Sequence, residues 1–95
     1  MDTVRATRLD LARALRVVSR TLGERYAWRA DHRHFFRIGG GWWVAVSPDD
    51  AGRIRVDACA GTRTVDSLWA SAQDHDRLAG LVQSLRDEVA ALAAA

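Results

Sequence analysis

The first predicted helix runs from Arg8 to Leu22, because its apolar residues recur three or four positions apart and form one stripe. These residues are Leu11, Leu15, Val18 and Leu22. Thr7 is a favourable N-cap, and Asp10 three residues later completes a pattern like a capping box. Gly23 supplies the residue that ends the helix.

A second helix is predicted from Asp74 to Leu92, where the helical period is the most regular in the chain. Its apolar residues are Leu78, Leu81, Val82, Leu85, Val89 and Leu92. Gly80 lies inside this segment at a cost of about 1 kcal/mol relative to alanine. We expect the missing side chain to let the helix approach a sheet closely.

Between the helices the apolar period changes to two, which is typical of strands. The runs cover residues 26–31, 34–38, 42–46, 53–59 and 64–69. Three glycines at 39–41 predict one hairpin loop, and the segment 47–52 predicts another turn. The pattern therefore predicts an antiparallel meander of four or five strands.

Closing the two central hairpins places Phe36 opposite Val44, and Val44 opposite Val56. One face of the sheet then becomes almost wholly apolar and should receive the stripes of both helices. We therefore predict an α+β fold, a single domain over residues 1–95 with both helices on one sheet face. Residues expected to be buried together are Leu15, Val18, Phe36, Val44, Val56, Leu81 and Leu85.

The opposite sheet face is the predicted interaction surface, because it combines arginines with aromatic residues. Its candidate residues are Arg33, Phe35, Arg37, Trp43, Arg53 and Arg55. Arg37 should lie opposite Trp43 as a cation–π pair. Since no predicted helix remains to cover Phe35 and Trp43, we expect both to be exposed. This surface is open to three interpretations: a protein interface, a stacking platform for single-stranded nucleic acid, or an ordinary solvent-exposed face.

Charge and composition indicate the type of genome and the cellular compartment. All 14 basic residues are arginine, and lysine and asparagine are absent, which indicates a GC-rich and bacterial genome. Residues 1–37 hold nine arginines and four acids, and residues 38–95 hold five and eight, so the two parts carry +5 and −3. The single cysteine, the lack of a signal-peptide pattern and the lack of a long apolar run favour the cytoplasm and no membrane partner.

Catalytic and metal motifs are weak or missing. His32 and His34 lie two apart and could join Cys59 as zinc ligands, but a structural zinc site normally needs four. The three glycines precede a strand and not a helix, so they do not form a phosphate loop. We therefore expect no catalytic residues, no metal and no cofactor.

At the level of element order, helix–strands–helix resembles the double-stranded-RNA-binding domain and the frataxin-like fold. The first family uses a basic cluster at the start of its second helix, whereas residues 71–76 here are acidic. The second binds iron on an acidic first helix, whereas the first helix here is basic. The resemblance is therefore one of topology, and topology does not determine function.

These observations favour a small, non-enzymatic interaction or adaptor module of regulatory type that self-associates as a homodimer. The alternative is a nucleic-acid-binding regulator that uses the arginine and aromatic sheet face.

Overall fold

The protein is an α+β fold in which a helix, a five-stranded antiparallel meander and a second helix follow one another. A computed structural model describes residues 7–94. The elements are α1 (Arg8–Leu22), β1 (Trp28–Ala30), β2 (Arg33–Gly39), β3 (Trp42–Pro48), β4 (Arg53–Ala60), β5 (Arg63–Ser71) and α2 (His75–Ala94). Neighbouring strands in the sheet are also neighbours in sequence, as predicted.

Both helices begin where their capping residues place them. The Thr7 hydroxyl accepts a bond from the Asp10 N–H at 3.1 Å, and the Asp10 carboxylate accepts one from the Thr7 N–H at 2.9 Å, which completes the predicted capping box. Gly23, at φ 69°, ends α1. The Asp74 carboxylate accepts a bond from the Arg77 N–H at the start of α2. Neither helix has the length and apolarity to cross a bilayer within residues 7–94.

The hairpin between β2 and β3 has the predicted register over most of its length. Phe36 lies opposite Val44, but Trp42 pairs with Gly39 and not with Ile38, because the register shifts between Arg37 and Gly39. Gly39, Gly40 and Gly41 all have positive φ, which L-residues with side chains rarely adopt. The three glycines are therefore needed to close this loop.

The register between β3 and β4 differs from the prediction by two residues. Val44 lies opposite Ala58, not Val56. The connecting turn is tighter than expected, since the Asp49 N–H donates to the Arg53 carbonyl at 2.8 Å. A shift of two preserves which side chains share a face, so the predicted sidedness survives the error.

The core lies between the inner sheet face and the two helices. Ala14, Val18 and Leu22 of α1 and Leu78, Val82 and Leu85 of α2 are buried in one cluster with the strands. The strand residues in this cluster are Phe36, Val44, Val46, Ile54, Val56, Ala58 and Ala70. Five of the seven predicted core residues are fully buried, whereas Leu15 and Leu81 are half-buried at its margin.

Gly80 does not serve the close approach that its position suggested. It lies on the exposed side of α2, and a Cβ added there would meet no atom within 4 Å. Gly80 therefore destabilises the helix through its backbone entropy, and no closer packing compensates for this cost.

We expect Leu85→Ala to lower the free energy of unfolding by about 2–5 kcal/mol, because the side chain is fully enclosed by core residues. Urea denaturation measures the loss. Leu92→Ala is the matched control, since Leu92 is exposed on the same helix. Equal stability of the two variants would contradict the assignment of Leu85 to the core.

Gly80→Ala should raise the free energy of unfolding by about 1 kcal/mol, since alanine restricts the unfolded backbone and meets open space in the helix. The same denaturation experiment measures it. A loss of stability would show that the Gly80 face of α2 is packed against something in solution.

Candidate interaction surface

The six predicted surface residues do lie on one side of the sheet. This side, which we call the outer sheet face, is opposite the helices. The strand pairing places on it Trp28, Ala30, Arg33, Phe35, Arg37, Trp43, Ala45, Ser47, Arg53, Arg55, Asp57, Cys59, Thr64, Ser67, Trp69 and Ser71. Neither described helix contributes to the apolar cluster on this face. It is therefore uncovered by any helix in residues 7–94.

An aromatic cluster occupies the half of the face formed by β1, β2 and β3. The Trp28 and Phe35 rings are stacked, with centroids 3.7 Å apart and planes 3° from parallel. Trp43 meets Trp28 edge-on at 6.1 Å. The expectation that Phe35 is exposed is wrong: it is only 3% exposed, because Trp28 lies over its ring. Trp43 is half-buried, and Trp28, at 37%, is the more exposed indole.

Two tryptophans that sequence reasoning left out of the surface belong to it. Trp28 lies opposite Phe35 in β1, and Trp69 lies opposite Arg55 in β5. Trp69 is 38% exposed, about the same as Trp28. Their side of the sheet follows only from the registers of the two edge strands. The period-two alternation does not find them, because a turn separates each from Phe35 or Arg55 and the β4–β5 pairing also shifts register at Ala58.

The Asp57 carboxylate organises the arginines of the face. It is only 1% exposed and accepts ion pairs from Arg33 at 3.1 Å and Arg55 at 2.8 Å. The Ser67 hydroxyl donates to it at 2.6 Å. Arg33 also donates to the Cys59 sulfur at 3.2 Å and to the Thr64 hydroxyl at 3.0 Å. One buried carboxylate therefore holds side chains from β2, β4 and β5 in fixed positions.

Three arginines of the face, including Arg55, lie over indole rings. The Arg37 guanidinium is 5.2 Å from the Trp43 ring centroid, as predicted from their pairing. Arg53 and Arg55 lie 5.5 and 5.9 Å from the Trp69 centroid. Such contacts immobilise the guanidinium and the ring together, so the surface offers pre-arranged planar groups.

The loop beside Trp69 carries a further ion pair. The Asp49 carboxylate accepts a 2.7 Å bond from Arg53 and a 3.1 Å bond from the Ala51 N–H. The Ala51 N–H first, and then Arg53, hold the pKa of Asp49 below its ordinary value. Asp49 is therefore ionised at neutral pH and balances the charge of Arg53.

The histidines and the cysteine do not converge on a metal site. His34 points to the inner side of the sheet, where it pairs with Val46, while Cys59 is buried on the outer sheet face. Residues 7–94 contain no group of three or more histidine, cysteine or acidic side chains arranged to hold a metal ion.

Comparison of the chain with models of protein families, with curated proteins and with solved structures found no match.

Asp57→Asn should lower the free energy of unfolding by about 1.5–3 kcal/mol, the range for hydrogen bonds to charged groups, because two guanidiniums lose their counter-charge. Chemical denaturation measures this. Glu88→Gln is the control, since Glu88 is an exposed acid on α2. Indistinguishable midpoints for the two variants would mean that Asp57 does not organise the outer sheet face.

Proposed function

We propose that the protein is a non-enzymatic interaction module of regulatory type that self-associates as a homodimer through the outer sheet face. The observation that carries the proposal is an aromatic sheet face that neither described helix covers, with Trp28 and Trp69 both more than a third exposed. Tryptophan and arginine together are the residues that dominate the energetics of protein interfaces.

The charge on this face supports a second copy as the occupant. Asp57 pairs with both Arg33 and Arg55, and Asp49 pairs with Arg53, so two carboxylates offset half of the charge of the four arginines on this face. Of these four, only Arg37 lacks a carboxylate within ion-pair distance in residues 7–94. Two such faces would therefore repel each other less than two surfaces of unpaired arginines. A phosphate-binding face would instead leave its guanidiniums free.

The dimensions of the sheet also support a dimer. Five strands about 4.8 Å apart, with an average length of about seven residues at about 3.3 Å per residue, give a projected area of roughly 550 Å². A stable interface buries about 800 Å² of accessible surface per partner. Because side chains roughen a sheet, its accessible area exceeds its projection, so twofold pairing of the faces would use most of this surface.

A non-enzymatic role is supported by the state of the reactive groups on the face. The Asp57 carboxylate and the Cys59 thiol are buried, and both bond to Arg33. A catalytic acid or nucleophile must instead reach a substrate. Cys59 is a free thiol, which supports a reducing compartment such as the cytoplasm.

Nucleic-acid binding is the second candidate function, and one observation favours it. The exposed parts of Trp28 and Trp69 lie on one face with Arg37, an arrangement on which bases stack. The two functions differ in their response to salt, since phosphate contacts weaken steeply as salt rises.

Sedimentation equilibrium tests self-association. We expect a mass of twice the 10.5 kDa chain for the wild type. Trp28→Ala and Trp69→Ala should each raise the dimer dissociation constant by about thirtyfold, the effect of losing an interface hot spot. Tyr26→Ala is the matched control, because Tyr26 is an exposed aromatic that contacts His34 and Phe36 on the inner side of the sheet.

A melting curve for each variant separates association from folding. A monomeric wild type, or variants that melt earlier without changing their mass, would contradict the dimer. Binding of a single-stranded oligonucleotide that Trp69→Ala abolishes and that weakens steeply with salt would favour the second candidate instead.

A further inference from the structure

A groove of about 920 Å³ lies at the opposite side of the sheet from the aromatic cluster, between the start of α1 and the β1–β2 hairpin. Thr7 and Arg8 line it from the helix, and Arg29, Asp31 and His32 line it from the hairpin. His34 lines it from β2. Its volume is within the range of pockets that hold small molecules, about 300–1,000 Å³.

The groove gathers basic groups that the fold leaves unpaired. Arg8 and Arg29 come from different elements, and neither has a carboxylate within 4 Å in residues 7–94. His32 adds an imidazole, and Asp31 is the only acid among the described residues of the lining. This contrasts with the outer sheet face, where the chain supplies carboxylates to three of its four arginines.

His34 is the second and independent feature of the groove. The residue is only 6% exposed, yet its buried Nδ1 has no hydrogen-bond partner in the described chain. A buried polar atom without a partner is costly. The Tyr26 ring contacts the imidazole edge-on, with centroids 4.8 Å apart. This aromatic contact gives the imidazole no negative charge to pair with. The imidazole therefore bonds to the Val46 backbone, while its Nδ1 atom has no partner among the described residues.

The N-terminus of α1 adds an electrostatic field that attracts anions. The positive end of a helix dipole lies at its N-terminus, which here opens on the groove. The capping box engages the N–H groups of Thr7 and Asp10 and leaves that of Arg8 outside it.

We propose that this groove binds the phosphate group of a small molecule, with Arg8 and Arg29 as ion-pair partners and His34 as a hydrogen-bond donor. Donors that line one groove from both a helix and a hairpin suit an oxyanion with three or more oxygens better than a planar carboxylate. The groove is larger than a phosphate ion, so the remainder of the ligand lies along Leu11 and Pro48. This site is separate from the dimer face, and each proposal can fail without the other.

Titration of the ¹⁵N-labelled protein with inorganic phosphate, at constant ionic strength, tests the site by NMR. Saturable shifts are expected at the amides of Arg29 and His34, and acetate should bind more weakly. Arg29→Gln and Arg8→Gln should each weaken phosphate binding roughly tenfold, the loss of one charge-assisted contact. Arg20→Gln is the control, because it removes the same charge from the exposed far end of α1.

Equal weakening by Arg20→Gln, or shifts that do not saturate, would overturn the proposal in favour of non-specific charge attraction. Acetate binding as tightly as phosphate would overturn the assignment to phosphate. Melting curves confirm that the glutamine variants, which alter exposed side chains, remain folded.

The pKa of His34, followed by NMR with and without phosphate, tests whether the imidazole takes part in binding. A His34 that only stabilises the fold would keep the same pKa when phosphate is added. Burial, and then the charge of Arg29, lower the pKa of His34 in the free protein. A bound phosphate favours the imidazolium, so the pKa should rise when phosphate is added. The other charged or titratable groups around the ring are Arg8, Asp31, His32 and Tyr26. An unchanged His34 pKa at saturating phosphate would exclude the imidazole from the site.

Discussion

The burial of one sheet face beneath two amphipathic helices is the constraint on which the other features depend. Side chains alternate across a strand, so assigning Phe36, Val44 and Val56 to the inner side commits their neighbours to the outer side. The apolar stripes of both helices then pack against this same inner face. No helix of the described chain is left for the second face, and its chemistry has to be compatible with water or with a partner.

The outer sheet face meets that requirement because its charged and aromatic side chains pair with one another. A buried Asp57 holds Arg33 and Arg55, and Trp28 lies over Phe35, so both charge and apolar area are partly hidden within the chain. What remains accessible is a set of indole rings and guanidinium planes whose positions are already fixed. A surface of this kind loses little side-chain entropy when a partner binds.

The two proposed sites differ in how the fold treats arginine. On the outer sheet face the strands bring acidic side chains beside the guanidiniums, which favours contact with protein. In the groove beside α1, the described lining residues include Arg8 and Arg29 but only one acid, Asp31, which favours an external anion. Two of the nine arginines of residues 1–37 line this groove, and the small net charge of the whole chain conceals the positive excess of that part of the sequence.

Local patterns in the sequence determined the helices, their caps, the meander and the sidedness of the central strands, because each depends on residues close in the chain. The capping box of Thr7 and Asp10 and the apolar stripe of α1 could be predicted for that reason. The two-residue register error between β3 and β4 left sidedness intact, since the strand period is two. Only tertiary structure decided what the side chains meet: that Trp28 buries Phe35, that Asp57 joins three strands, and that His34 lies in a groove with Arg8 and Arg29. These contacts join residues far apart in sequence, and they depend on edge-strand registers and helix placement that no local period encodes.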